Sequence, residues 1–278
     1  MEPVTAAKVD KARALLREMG KVVVAFSGGV DSALVLKLAH EELGERALGI
    51  IGDSPSLARD ELQSALDFAK QLGARIEVVP TDEMEDENYI SNPVNRCYFC
   101  KSELFGKLTQ MAAERVLGVV VDGSNADDIG DYRPGAQARA ELGVRSPLQE
   151  TGLTKAEIRE ASHELGLPTW DKPALACLSS RFPYGQRITL EKLGMVEQAE
   201  RVLREFGFKQ FRVRCHDNIA RLELDAGGLE RILGRNQSNG GEPLRKTVAR
   251  RLRELGFLWV TLDLEGYRSG SLNQVLRR

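Results

Sequence analysis

Apolar positions in the first half of the chain follow two alternating periods. Val22 to Phe26 form a short β-branched and aromatic run, the pattern of a strand buried on both faces, and Leu34, Val35 and Leu38 then recur on one helical face. Ala47 to Ile51 repeats the strand pattern and ends in Gly52-Asp53-Ser54-Pro55-Ser56, a segment able to cap the next helix, which carries Leu62, Ala65, Leu66, Ala69 and Leu72 inward. Arg75 to Val79 predicts a third strand, Ser102 to Val116 a helix with Phe105, Leu108 and Ala112 inward, and Val119 to Val121 a fourth strand. Such alternation predicts an α/β fold, a mostly parallel doubly wound sheet whose ligands bind beyond the carboxyl ends of the strands. Ser27, Asp53 and Ser124 fall at those ends. Thr154-Lys-Ala-Glu157 reads as a capping box opening a helix with Ile158, Ala161 and Leu165 inward.

The pattern changes in the second half. Leu190, Leu193, Val196, Leu203 and Phe206 trace a helix, and Gln210 to His216 is a strand with Phe211, Val213 and Cys215 on one face and Arg212, Arg214 and His216 on the other. Leu244, Val248, Leu252 and Leu255 mark a later helix, Leu258 to Leu264 a final alternating strand, and the glycines of 226–241 a mobile loop. This is a smaller α+β domain. The segment around Cys177 lacks either period, so it is read as the connection, with residues 1–185 as the first domain and 186–278 as the second.

Composition narrows the class. With 278 residues, 42% hydrophobic and 29% charged, the chain is read as soluble and globular, and its formal charge of −2 provides no general field for nucleic acid. No apolar stretch suits a membrane span and no signal-peptide core opens the chain, so a cytoplasmic location is expected. Cys97, Cys100, Cys177 and Cys215 are then ligands, reactive thiols or core residues in preference to disulfides, with Cys215 assigned to the core.

Between the first strand and helix lies Ser27-Gly28-Gly29-Val30-Asp31-Ser32. Two glycines let successive N–H groups converge where a helix dipole is already positive, and the serines add hydroxyls, which together suit an anion. An ordinary turn with a helix cap is the competing reading. The spacing is not that of the Walker loop; it resembles the PP-loop ATP pyrophosphatases, which split ATP between the α and β phosphates and transfer AMP to an oxygen. Asp127, Asp128 and Asp131 would suit Mg²⁺ near a triphosphate, although an acidic loop is commonly just solvated. Cys97-Tyr-Phe-Cys100 is compatible with a redox pair, half a zinc site or part of an iron–sulfur site. Arg212 and Arg214, about 7 Å apart on one strand face, form either an anion clamp or part of a solvated face paired with Arg221 and Glu223 of the next strand.

Across almost the whole chain the residues resemble one PP-loop family. Ala25-Phe-Ser-Gly-Gly-Val-Asp-Ser32, Asp131-Tyr-Arg-Pro-Gly135, Ser179-Ser-Arg-Phe-Pro-Tyr-Gly185, Phe211-Arg-Val-Arg214 and Leu262-Asp-Leu-Glu-Gly-Tyr-Arg-Ser-Gly270 are similar to the LarE family, the pyridinium-3,5-biscarboxylic acid mononucleotide sulfurtransferases of nickel-pincer cofactor synthesis. The resemblance implies that a substrate carboxylate is adenylated and that sulfur displaces AMP to give a thiocarboxylate, twice per product. It places ATP at Ser27, Gly28, Gly29, Asp31, Ser32 and Asp53, and the mononucleotide phosphate at Ser180, Arg181, Arg212 and Arg214. Asp31, Ser32 and Cys177 are the catalytic residues it implies, and Cys97, Cys100 and Cys177 would hold a [4Fe–4S] cluster carrying an extra sulfide. Sacrificial sulfur donation from Cys177, thiolation of tRNA and non-enzymatic nucleotide sensing are the alternatives. A homohexamer follows by family analogy only.

Overall fold

A computed structural model describes residues 1–130, 134–173, 176–234, 238–239, 242–268 and 270–277, without the side chains of 238–239 and 275–277. Asp131, Tyr132, Arg133 and Ser269 of the matched stretches lie outside the described residues, as does part of 226–241. In chain order the elements are α1 (Pro3–Met19), β1 (Val22–Ala25), α2 (Val30–Leu43), β2 (Ala47–Asp53), α3 (Arg59–Leu72), β3 (Arg75–Pro80), α4 (Glu87–Ile90), α5 (Arg96–Glu114), β4 (Val119–Val121), α6 (Pro134–Glu141), α7 (Pro147–Glu150) and α8 (Lys155–Glu164). Then follow α9 (Leu190–Glu205), β5 (Phe211–His216), β6 (Ile219–Leu224), α10 (Ala226–Leu233), β7 (Ser238–Asn239), β8 (Glu242–Pro243), α11 (Leu244–Glu254) and β9 (Trp259–Leu262).

The chain divides into two units, residues 1–89 with 95–175, and residues 90–94 with 176–278. The division falls ten residues before the boundary expected at 185 because the chain around Phe182 is bonded to 90–94: Asn92 O accepts from Gly185 N at 2.8 Å, Asn92 Nδ2 donates to Pro183 O at 2.6 Å, and Ile90 O accepts from Ile188 N at 2.8 Å.

Unit 1 is an α/β fold with helices on both faces of one sheet. Its four strands are parallel in the order β3-β2-β1-β4, and Ala25 lies beside Ile50 at the carboxyl ends. Alternate residues of the strands face opposite layers, so Val22 and Val24 pack with α1, α2, α3 and α8, whereas Val23, Leu48, Ile50 and Val120 pack with Phe105, Leu108 and Ala112 of α5. Burial on both faces is what makes these strands continuous apolar runs. Helix α2 is itself enclosed, with Ala33, Leu34, Val35, Leu36 and Leu38 all buried.

Three local expectations are corrected. Ser54 and Ser56 do not cap α3, whose N-cap is Ala58; their hydroxyls bond each other at 2.7 Å and Ser54 also meets Glu83. Helix α5 starts at Arg96, six residues before the expected Ser102, and so carries both cysteines of the Cys97–Cys100 pair in its first turns. Residues 226–233, expected in a mobile loop, form α10, because Asp225 Oδ1 accepts from Gly228 N at 2.7 Å and caps it.

Unit 2 is a small α+β unit built on a sheet of order β5-β6-β9, antiparallel between β5 and β6 and parallel between β6 and β9. Val213, Cys215 and Leu222 are buried there, so the core role for Cys215 stands. The last strand is shorter than expected, and Leu258 and Leu264 lie exposed beyond its ends. Among the described residues no helix is long and apolar enough to cross a membrane.

Candidate active site

In unit 1 the apolar strand β1 delivers Phe26 to a turn that only glycine builds cheaply. Gly28 has φ +73°, and a Cβ there would lie 2.8 Å from the Cβ of Ala65 on α3. Gly29 is the N-cap of α2, so the first N–H groups of the helix open at the loop. Ser32 is buried and closes the turn from within: its Oγ accepts from Ser27 N at 3.2 Å, donates to Gly29 O at 3.2 Å and lies 3.1 Å from Ser27 Oγ. The hydroxyl expected at a phosphate is therefore part of the loop's own frame.

Asp31, on the first turn of α2, pairs with Lys155 Nζ and accepts from Asn125 Nδ2 at 3.4 Å. Lys172 Nζ donates to Gly28 O at 3.1 Å and pairs with Glu61 at 2.8 Å. Beyond β4, Gly123 crosses the start of α2 so closely that a Cβ on it would stand 2.7 Å from Ser32 N. Asp122 steadies this crossing by accepting from Ser124 N at 3.1 Å, Ser124 Oγ at 2.8 Å and Ser146 Oγ at 2.6 Å. Two ammonium groups and a helix N-terminus around a glycine turn suit a polyphosphate. Sequence reasoning missed Lys155, Lys172 and Gly123. Lys155 was visible only as a member of a capping box, which the structure retains through Thr154 and Glu157.

The other expected acidic residues are engaged locally. Asp53 ends β2 and pairs with Arg59, Asp127 Oδ2 accepts from Lys155 N at 2.8 Å, and Asp128 Oδ2 accepts from Asn125 N at 3.0 Å. Asp31 is the described carboxylate on the loop itself, partly exposed and engaged by Lys155, and is of the oxygen-ligand type that suits Mg²⁺. Cys97 and Cys100 share one face of α5 near its N-terminus, where the helix dipole favours thiolates. Cys97 is exposed and Cys100 half-buried, and neither is in a disulfide. Cys177, in unit 2, is exposed and precedes the 3₁₀ turn Leu178–Arg181. Each thiol suits a soft metal, but among the described residues no three His, Cys, Asp or Glu side chains are grouped as a metal site.

In unit 2 the expected arginines lie in a buried charge network. Arg181 grips Glu200 with two bonds of 2.8 Å, and Arg214 grips Glu223 with bonds of 3.0 and 2.9 Å. Arg214 also donates to Ser180 O and Ser271 Oγ, each at 2.7 Å. The strand register sets Arg214 directly opposite Arg221, and Glu223 relieves that repulsion by accepting from Arg221 as well, at 3.1 Å. Arg214 is thus paired with Glu223 on a buried face, not the solvated one of the competing reading. Arg212 donates to Phe211 O at 2.8 Å and lies 5.3 Å from the centre of the Tyr267 ring, with its pKa lowered by burial and by the charge of Arg181. Burial pushes the Glu200 carboxyl up, but the Arg181 charge and hydrogen bonds outweigh it and hold it below the usual range. The His216 pKa is lowered by burial and by Arg221 and Arg214, and its buried Nε2 has no hydrogen-bond partner among the described residues.

Comparison with known proteins follows this division. Residues 6–91, which include the glycine turn, match the NAD synthase family. Over 266 residues, 95% of this chain and 93% of the relative, the sequence is 39% identical to the pyridinium-3,5-bisthiocarboxylic acid mononucleotide synthase of Lactiplantibacillus plantarum. The chain belongs to the LarE family. An uncharacterized protein of Synechocystis sp. is 48% identical over 271 residues, 98% of each chain. A more distant relative, one of the subunits of the glutamine-hydrolyzing GMP synthase of Archaeoglobus fulgidus, is 25% identical over 206 residues, 67% of this chain and 65% of its own. LarE-type similarity thus extends through both units, whereas the NAD synthase match is confined to residues 6–91.

Proposed function

We propose that this protein is an ATP-dependent sulfurtransferase of nickel-pincer nucleotide cofactor synthesis, acting on the carboxylates of pyridinium-3,5-biscarboxylic acid mononucleotide. The near full-length identity to a synthase of the bisthiocarboxylate product carries this reading. The glycine turn supports its first half. A carboxylate oxygen attacks the α phosphorus of ATP, the bond to the bridging oxygen of the β phosphate breaks, and pyrophosphate leaves toward the N-terminus of α2, where backbone N–H groups stabilise the growing charge. Lys155 and Lys172 neutralise the triphosphate, and Asp31 would hold Mg²⁺ on it. A sulfur nucleophile then attacks the acyl carbon and AMP departs with the bonding pair, giving a thiocarboxylate. A [4Fe–4S] cluster held by Cys97, Cys100 and Cys177 would supply that sulfur as a sulfide. Arg212 would hold the mononucleotide phosphate, with Ser180 nearby in sequence to the Cys177 turn; Arg181 and Arg214 support it from their ion pairs. The protein acts on a small molecule in the cytoplasm, with no nucleic acid and no membrane, as a homohexamer.

The test is anaerobic reconstitution, iron and acid-labile sulfide analysis, and incubation with ATP and the biscarboxylate mononucleotide. Pyrophosphate and thiocarboxylate should form only with that substrate, and Cys97→Ala should abolish iron binding and turnover. Pyrophosphate release without the mononucleotide, or none with it, overturns the reading. Conversion of Cys177 to dehydroalanine with no iron bound would replace the cluster by sacrificial donation, and altered thiolated nucleosides in tRNA of a deletion strain would favour an RNA substrate.

A further inference from the structure

Within unit 2, the main chain of Cys177 is held by an unusual number of donors. Its carbonyl accepts from Ser180 N at 3.0 Å, Ser180 Oγ at 2.8 Å and Arg181 Nη1 at 2.9 Å. The same Nη1 donates to Ala176 O at 2.7 Å and lies 3.0 Å from Ser180 Oγ. The other edge of the guanidinium, Nε and Nη2, is gripped by the two oxygens of Glu200. Glu200 Oε1 in turn accepts from Val213 N at 3.2 Å, on β5. Arg181 and Glu200 are 4% and 3% exposed. A guanidinium has five N–H groups in a rigid fork, and here one edge holds Glu200 of α9, which reaches β5 through Val213 N, and the other the turn bearing Cys177.

A buried ion pair is weak evidence of a stabilising role, because desolvation offsets much of the attraction. Fixing geometry is the better use of such a pair, and the acceptors of Arg181 name what is fixed. We propose that Arg181 and Glu200 are positioning residues for Cys177, clamping its main chain to β5 while its side chain stays exposed. Arg181 is then a strut beneath the sulfur chemistry and not a ligand of the substrate phosphate. The proposal rests on the reading of Cys177 as a sulfur-handling residue, and it holds whether that cysteine ligates a cluster or gives up its own sulfur.

The test uses the full-length protein under anaerobic, iron-free conditions, with no ATP or substrate. The variants are Glu200→Gln, Arg181→Lys and the double variant Arg181→Met/Glu200→Leu, which removes both charges at similar volume and so should fold even if a single change does not. Two quantities are read by peptide-resolved mass spectrometry: amide exchange across 177–182, and the iodoacetamide alkylation rate of Cys177 against Cys97 and Cys100 in the same sample. Loss of one charge-assisted hydrogen bond should speed exchange of the turn about tenfold. The Cys177 rate should change by a similar factor, with Cys97, Cys100 and peptides of β5 and β6 unchanged. Arg181→Lys should not rescue, since an ammonium keeps the charge but lacks the fork. Wild-type exchange and alkylation in the folded double variant overturns the proposal, as does rescue by lysine or uniform loosening of all of unit 2. If the wild type forms no pyrophosphate with its substrate, the functional reading fails, while these measurements still judge the clamp.

Discussion

Alanine at Gly28 is expected to damage the glycine turn in two separable ways. The position has φ +73°, so an L side chain costs about 1–2 kcal/mol in backbone strain. Its methyl would also stand 2.8 Å from Ala65 Cβ, an overpacking cost of about 1–3 kcal/mol. Gly28→Ala should thus destabilise unit 1 by about 2–5 kcal/mol. Ala65→Gly alone should cost about 1 kcal/mol, the helix-propensity difference within α3. In the double variant the clash vanishes and the strain remains, so urea unfolding of the four proteins should give a favourable coupling of about 1–3 kcal/mol. Pyrophosphate formation should stay impaired in the double variant, because the strained residue still disturbs the N–H groups at the start of α2. Coupling below about 0.5 kcal/mol, the limit for independent sites, would refute the packing argument.

Other consequences follow from the charges. Glu223→Ala strands Arg214 and Arg221 beside a fully buried site and should cost about 3–5 kcal/mol in urea unfolding, against less than about 1 kcal/mol for the exposed Arg250–Glu254 pair broken by Glu254→Ala. Because the Glu200 carboxyl is held below its ordinary range, the stability it contributes is complete above the unfolded value near 4.3 and is lost as pH falls through the depressed native value. Urea unfolding between neutral and acid pH should therefore show a shallower acid limb in Glu200→Gln, and an unchanged slope would count against the assignment. Lys155→Met should raise the ATP concentration for half-maximal pyrophosphate formation about tenfold, as loss of a charge-assisted contact predicts; steady-state kinetics at fixed mononucleotide checks it.

Much of the fold could be read in advance because its signals are local. Val22 to Ala25 and Val119 to Val121 are apolar at every position, and in the structure both faces of the sheet are covered. The capping box at Thr154 and Glu157 forms as read, since all its partners lie within one turn. Where periodicity was absent, the reading failed: Arg96 to Lys101 lacks an apolar face, so the first turns of α5 passed as loop. Asp225 was overlooked as the cap that turns a glycine-rich stretch into α10.

By itself, then, the sequence determined the strand–turn–helix around Gly28, the order of the first four strands along the chain, the core place of Cys215 and the family likeness, all of which rest on neighbours within a few residues or on matched stretches. Only the tertiary structure decided which charges meet. Asp31 and Lys155 are 124 positions apart, and Arg181 and Glu200 19 apart. No periodicity encodes such pairs; burial does, because a charge removed from water must find its partner wherever the folded chain has placed one.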